Sequence, residues 1–172
     1  FPASLFSRQI VFEGQTCNIV ADKQTKLPTQ LGKWFQVNHA PNTAKLDVER
    51  VDKLPPPTEY LSVTREVQSS DCDFQGHLNH AAYIKYAHDA ISLLAKRDKF
   101  SALPREVVRC QVKSFEGLYL AEATTGERFE IRVWENEMNK KTLHFEVVSE
   151  TKQQSAFQGT FYFGDEVLFC NL

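Results

Sequence analysis

The sequence predicts an α+β domain in which one long apolar helix packs on a curved antiparallel sheet. Three observations carry that expectation. Residues 79–96 contain neither Pro nor Gly and set Ile84, Ala87, Ile91 and Leu94 at helical spacing. From residue 106 onward the apolar period falls to two, as in half-buried strands. The connections between those stretches are short, and short links join antiparallel neighbours, so a meander is the simplest arrangement.

Taken in chain order, Arg8 to Val20 reads as strand-like with a turn at Glu13-Gly14, and Asp22 to Pro28 reads as an exit loop. Leu54-Pro55-Pro56-Pro57 is the clearest punctuation, because three prolines favour an extended segment and cannot continue a helix or a central strand. It divides an N-terminal segment, 1–53, from a domain at 58–172, with 54–57 as the linker. Thr58 to Val67 alternates Leu61, Val63, Arg65 and Val67 against Tyr60, Ser62, Thr64 and Glu66, which predicts a first strand. A polar turn at 69–77 follows, and Asn79 is an acceptable N-cap for the helix. Ala81, Ala82 and Ala90 are small enough to let a sheet approach closely. Later strands are predicted around Val108-Cys110-Val112, Phe129-Ile131-Val133, Leu143-Phe145-Val147 and Phe157-Phe161-Phe163, with breaks at Glu116-Gly117, Thr125-Gly126 and 136–141.

Composition excludes several functions. The chain has 172 residues, 42% hydrophobic and 24% charged, with a formal net charge of −2. That balance lacks the basic footprint of a general nucleic-acid binder. No apolar run approaches the ~18 residues of a spanning helix, so no membrane insertion by a helix is expected. The 13 Phe residues set against 7 Gly suit a packed, sheet-rich core. Cysteines at 17, 72, 110 and 170 show no CxxC and no zinc-site spacing. They read as reduced, small hydrophobes of an intracellular protein, in cytoplasm or an organelle matrix. A chain that begins at Phe1 reads as a fragment or a processed form.

The chemistry concentrates in Asp71-Cys72-Asp73-Phe74-Gln75-Gly76-His77-Leu78-Asn79-His80. Two carboxylates, two amides and two imidazoles crowd into ten residues at the start of an apolar helix. The first turn of a helix offers unpaired N–H groups and a partial positive charge, which can hold a developing oxyanion. A carboxylate beside it can act as nucleophile or as general base on water. Gly76 permits close backbone approach. Asp and Gly before a helix are equally ordinary turn chemistry, so the residues alone leave both readings open. Lys96, Arg97, Lys99 and Arg105 after the helix either complement its dipole or meet phosphates. Tyr83, Tyr86, Ile91 and Leu94 line either an acyl tunnel or simply the core. His39, His88 and His144 have no ligand-like spacing.

Asp73, Gly76-His77-Leu78-Asn79 and Tyr83 resemble the Asp-x-x-Gly-His-(hydrophobic)-Asn-x-x-x-Tyr signature of hot-dog-fold thioesterases, the 4-hydroxybenzoyl-CoA thioesterase-like superfamily, over about residues 58–165. The resemblance implies a helix wrapped by the sheet and hydrolysis of acyl thioesters. It also implies Asp73 as the catalytic carboxylate facing an apolar slot, with oxyanion donors among the amides of Gly76 to Asn79. The segment is similar, too, to the Asp-x-Asp-x-Asn-x-His-Val-Asn-Asn motif of plant acyl-carrier-protein thioesterases, with Asp71, Asp73, His77 and Asn79 matching and Gln75 and His80 departing. In the same comparison Tyr119-Leu120-Ala121-Glu122 makes Glu122 a candidate partner. Asn18 to Pro28 resembles the last strand and exit loop of a preceding hot-dog domain.

The expected site therefore comprises Asp73, His77, Gln75, Asn79 and Glu122 as catalytic or orienting groups, and Gly76, Leu78 and Tyr83 as substrate contacts. The expected substrate is an acyl-CoA or acyl-carrier-protein thioester of fatty-acid metabolism. No metal or redox cofactor is implied, and family habit implies self-association into a dimer or higher oligomer with the site near the subunit boundary. A non-catalytic acyl-binding module is the alternative. A hydratase on the same fold is a further one, although Gly76-His77-Leu78-Asn79 lacks the prolines of that group's His-containing motif.

Overall fold

The computed structural model describes residues 51–55, 57–105 and 110–167, with positions 25, 29, 32 and 33 before them, and the backbone alone for 110–111 and 165–167. The chain divides into two compact units, Phe1–Arg50 and Val51–Leu172. The architecture below belongs to the second. The expected strand at 8–20, nearly all of the Asn18–Pro28 loop, His39 and the start of the strand at Val108 lie outside the described residues.

The elements run β1 (Leu61–Glu66), one 3-10 turn (Ser69–Asp71), α1 (His80–Lys96), β2 (Cys110–Tyr119), β3 (Arg128–Glu135), β4 (Thr142–Ser149) and β5 (Gln154–Val167). Strand β1 alternates half-buried Leu61, Val63 and Arg65 with exposed Ser62, Thr64 and Glu66, as its sequence pattern requires. The Asn79 side chain accepts the amide of Ala81 at 3.0 Å, which caps α1 where the composition suggested. The helix closes at Arg97, whose amide reaches the carbonyls of Leu94 and Ala95, and Asp98 follows in a left-handed conformation with φ 55°. Among the basic residues beyond it, Arg105 forks onto the Asp98 carboxylate, donating from Nε at 2.6 Å and also from Nη2. Among the described residues, no helix is long and apolar enough to cross a membrane.

All strand pairs are antiparallel, in the order β1-β3-β4-β5-β2. Strands β3, β4 and β5 form the expected meander, but β2 does not join it in sequence. It pairs with β5, Phe115 opposite Phe161. The reason is occupancy: β3 already has β1 on one side, Leu61 opposite Val133, and β4 on the other. The open edge is at β5, so residues 120–127 must carry the chain from that edge back to β3.

The expected break at Glu116-Gly117 is also corrected, because β2 runs straight through it. Gly117 lies opposite Gly159 of β5. A Cβ on Gly159 would come within 2.4 Å of the Glu116 carbonyl oxygen, and one on Gly117 within 2.7 Å of the Phe115 ring. These glycines make room for aromatic rings inside strands rather than turning the chain. The other two breaks are turns. Gly126 takes φ +82°, and Asn136 Oδ1 accepts the amides of Met138 and Asn139 at 2.9 and 3.0 Å.

The core lies between α1 and the sheet. Tyr83, Tyr86, Ala87, Ala90, Ile91 and Leu94 face it from the helix, and the alanines admit Phe129, Phe145, Phe157 and Phe161 from the strands. Ring centroids of Phe115–Phe161 and Phe145–Phe161 are 5.0 and 5.3 Å apart. Each buried Phe contributes roughly 1.5–3 kcal/mol. Tyr83, Tyr86, Ile91 and Leu94 are thus part of this core.

Candidate active site

Between β1 and α1 the chain folds a tight hairpin, with Cys72 paired to Leu78. At its tip the Asp73 amide donates to the His77 carbonyl at 2.8 Å, and the Gly76 amide to the Asp73 carbonyl at 3.0 Å. The Asp73 carboxylate closes the turn from within: Oδ1 accepts the amides of Gln75 at 2.8 Å and His77 at 3.1 Å. An Asx turn of this kind needs a short acidic or amide side chain at its first position. Gly76, with φ +80°, occupies the left-handed region that side chains disfavour. Oδ2 of Asp73 has no hydrogen-bond partner among the described residues.

Asp71, two residues earlier, has the opposite fate. Its carboxylate accepts the Tyr86 hydroxyl at 2.6 Å and the Lys85 ammonium at 2.9 Å, and its carbonyl accepts the Asn79 amide at 3.0 Å. The hydrogen bond from Tyr86, then that from Lys85, holds the Asp71 carboxyl below the ordinary aspartate range. Burial, and then the bond to Asp71, pushes the Tyr86 hydroxyl up, while the Arg65 guanidinium sits 4.5 Å over its ring. Asp71 is an anchor that ties the loop to the helix.

A third segment completes the site. The Leu78 amide donates to the Ala123 carbonyl at 2.8 Å, His77 pairs with Thr124, and the Tyr83 hydroxyl donates to the Ala121 carbonyl at 3.2 Å. These bonds bring Glu122 beside the motif, its Oε2 3.8 Å from His77 Nε2. Asp73, Gln75, Gly76, His77 and Glu122 are therefore gathered in one region. Leu78 and Tyr83, also expected at the site, lie within the core, 4% and 1% exposed. Burial, ahead of the charge of Glu127, raises the Tyr83 hydroxyl far above its ordinary range. The Asn79 side-chain oxygen is engaged in its capping role.

Two expectations need correction here. The amides of Gly76, His77, Leu78 and Asn79 all have internal acceptors, so they do not form an oxyanion hole. The amide of His80, first residue of α1, has no acceptor among the described residues and points from the positive end of the helix. Nor does one chain close an apolar slot over Asp73. The Asx turn projects its tip outward, leaving Asp73 exposed and Phe74 95% exposed. A shallow depression of about 390 Å³ at Asp71, Asn79 and Lys85 borders the segment. A larger cleft of about 810 Å³, at Tyr60, Trp134, Met138 and His144, contains none of the motif residues.

Two residues named in the sequence only as parts of their motifs, His80 and Tyr119, meet at the mouth. His80 contributes its main chain, and its ring stacks on Tyr119 at 4.2 Å. Tyr119 in turn donates its hydroxyl to the His80 carbonyl at 2.9 Å, so the end of β2 fixes the start of α1.

A family model described as the thioesterase-like superfamily matches residues 67–163, more than half of the chain. Among solved structures, an acyl-ACP thioesterase from Bacteroides thetaiotaomicron VPI-5482 superposes with a TM-score of 0.56 at 18% identity, over 84% of this chain and 53% of that one. A 1,4-dihydroxy-2-naphthoyl-CoA thioesterase from Synechocystis gives 0.51 at 13% identity, over 60% and 79% of the two chains. A DHNA-CoA thioesterase from Staphylococcus aureus gives 0.50 at 18%, over 59% and 70%. At such identities the likeness is one of fold. No curated protein matches the chain.

Proposed function

Because the chain belongs to the thioesterase-like superfamily and has the hot-dog fold, we propose that it hydrolyses an acyl thioester, with acyl-CoA as substrate and a carboxylic acid and free CoA as products. The observation that carries this reading is the Asp73 carboxylate. One oxygen is fixed by two amides and the other is open, on an exposed turn at the mouth of a helix. A carboxylate locked in this way is oriented while one oxygen stays open, as a nucleophile or general base must be.

In the proposed reaction Asp73 either takes a proton from water as the water adds to the thioester carbonyl, or attacks that carbon itself to form an anhydride that water then opens. The carbon–sulfur bond breaks and the thiolate leaves, taking up a proton. The His80 amide and the helix dipole stabilise the oxyanion, a contribution of roughly 10²–10³ in rate for one such donor. Gln75, His77 and Glu122 orient the reactants. The open face around Asp73 and Phe74 is completed by a second copy of the chain, which supplies the wall that one copy lacks. The reaction takes place inside the cell, where Cys72, a free thiol, stays reduced.

The test is thiol release from a panel of acyl-CoAs, comparing the parent with Asp73→Asn. The amide keeps the acceptor for Gln75 and His77 but loses the charge. Turnover by the parent and a drop of about 10³-fold in the variant are expected, on the scale of a lost general base. Binding without turnover in the parent would instead support an acyl-binding module, and water addition to an enoyl-CoA would support a hydratase.

A further inference from the structure

We propose that Lys152 and the buried Glu127 form a clamp that positions Glu122, so that residues 121–124 hold their place against His77-Leu78. This inference rests on the assignment of that region as the active site, and both residues are positioning groups rather than catalytic ones.

Residues 120–127 lie between β2 and β3 and belong to neither strand. Their course is set by individual hydrogen bonds, not by a sheet ladder. The Leu120 and Ala121 amides both reach the Ala156 carbonyl, at 2.9 and 3.1 Å, which anchors one end. At the other end the Glu127 amide donates to the Thr124 carbonyl at 3.2 Å, and Gly126 and Glu127 bond the backbone of Val67. The peptide of Glu122 stands in the middle. Its carbonyl accepts the Lys152 ammonium at 3.3 Å. That ammonium also lies 3.0 Å from Glu127 Oε2.

The Glu127 side chain is only 6% exposed, and a buried carboxylate is costly unless its partners are in place. They are: Ser149 donates to Oε1 at 2.6 Å, and the Thr124 amide to Oε2 at 3.3 Å beside Lys152. Burial opposes its ionisation, but the bonds from Ser149 and Lys152 prevail and hold Glu127 below the ordinary glutamate range. Lys152 is itself seated, since its amide donates to Ser149 Oγ at 3.2 Å. One cation thus ties a fixed, buried anion to the peptide whose side chain faces His77 at 3.8 Å. With its side chain 44% exposed, Lys152 can also be replaced without opening the core.

The experiment uses the full chain carrying Lys152→Met, Lys152→Arg or Glu127→Gln, with Arg128→Met as a surface control. Amide hydrogen exchange is read at Leu78 and across 121–124. Lys152→Met is expected to speed exchange there about tenfold while leaving α1 unchanged; Lys152→Arg restores protection, and Glu127→Gln reproduces part of the loss. In acyl-CoA hydrolysis, Lys152→Met is expected to lower kcat about tenfold with KM within twofold, and to add nothing in a Glu122→Gln background, because coupled residues are not additive. Unchanged exchange in both Lys152→Met and Glu127→Gln overturns the clamp, as does a kcat loss equally large with and without Glu122. If the parent turns over no thioester, the functional reading fails on its own, and the exchange data still decide whether the clamp exists.

Discussion

At the mouth of the helix, every backbone amide from Gln75 to Asn79 is bonded within a short loop or to the neighbouring 120–127 segment, and the tip residues are exposed. In the sheet interior the situation reverses. Phe115, Phe145, Phe157 and Phe161 pack ring to ring, and two facing glycines leave them room. The first region is shaped by directional bonds and buries little. The second is shaped by volume and buries nearly everything. On the proposed assignment of the mouth, chemistry and stability are separable, and substitutions should divide along that line.

The largest effect is expected of Asp73→Asn. Its expected loss of about 10³-fold in turnover corresponds to roughly 4 kcal/mol in the barrier, while calorimetry should find Tm unchanged within a few degrees. A large fall in Tm would mean that the turn is a stability element after all. Next in size is Gly159→Ala, whose Cβ meets the Glu116 carbonyl oxygen at 2.4 Å. Overpacking of this kind costs about 3 kcal/mol. For a chain of this length that is a drop of roughly 6–12 °C in Tm. Activity of the protein that remains folded should persist at low temperature.

Asp71→Asn distinguishes the two carboxylates of the mouth, of which Asp71 is anchored and Asp73 open. It should cost about 1 kcal/mol near pH 7, the scale of a hydrogen bond to a charged group discounted for partial exposure. The sign follows from the direction of its shift. A folded-state value below the ordinary 3.8 means that the unfolded chain binds the proton first. The stabilisation is complete above that value and disappears as pH falls through the folded one. Denaturation curves of parent and variant should therefore begin to draw together below about pH 4 and coincide only below the folded value; a gap that stays constant into acid would show that charge is not the cause. The smallest expected effect is Phe74→Ala, which buries nothing within one chain and should change stability by less than about 0.5 kcal/mol. Sedimentation velocity gives it its value: weaker self-association than in the parent would support the proposed second copy at Phe74, and unchanged sedimentation would remove Phe74 from any such contact.

His144 gives a second pH marker, away from the mouth. Burial lowers its pKa from 6.5, although the charge of Glu116 opposes this, and its ring nitrogens meet Asn136 at 3.1 Å and Thr160 at 2.9 Å. A neutral, half-buried imidazole supports the fold above the unfolded value and ceases to do so as pH falls through the folded one. Stability should begin to decline just below pH 6.5, an effect that His144→Gln removes.

Strand β1, helix α1 and its Asn79 cap, and the alternation of β3 and β4 could all be read from the chain, since each depends on residues two to four positions apart. The same holds for the turn at Asp73, whose bonds span at most four residues. What sequence could not distinguish was a glycine that turns the chain from one that yields to a ring. Gly117 and Gly126 look alike until Phe157 and Gly159 arrive from forty residues away. The edge chosen by β2 had the same origin, since it depended on which neighbours β3 already had. So did the company of Glu122: His77 lies 45 positions before it, and Lys152 thirty after. Local periodicity and short-range hydrogen bonding are properties of neighbouring residues, so the chain encodes them directly. Which side chains meet across long separations is decided only when the core excludes water and fixes the strand register, and that exclusion is a property of the whole fold.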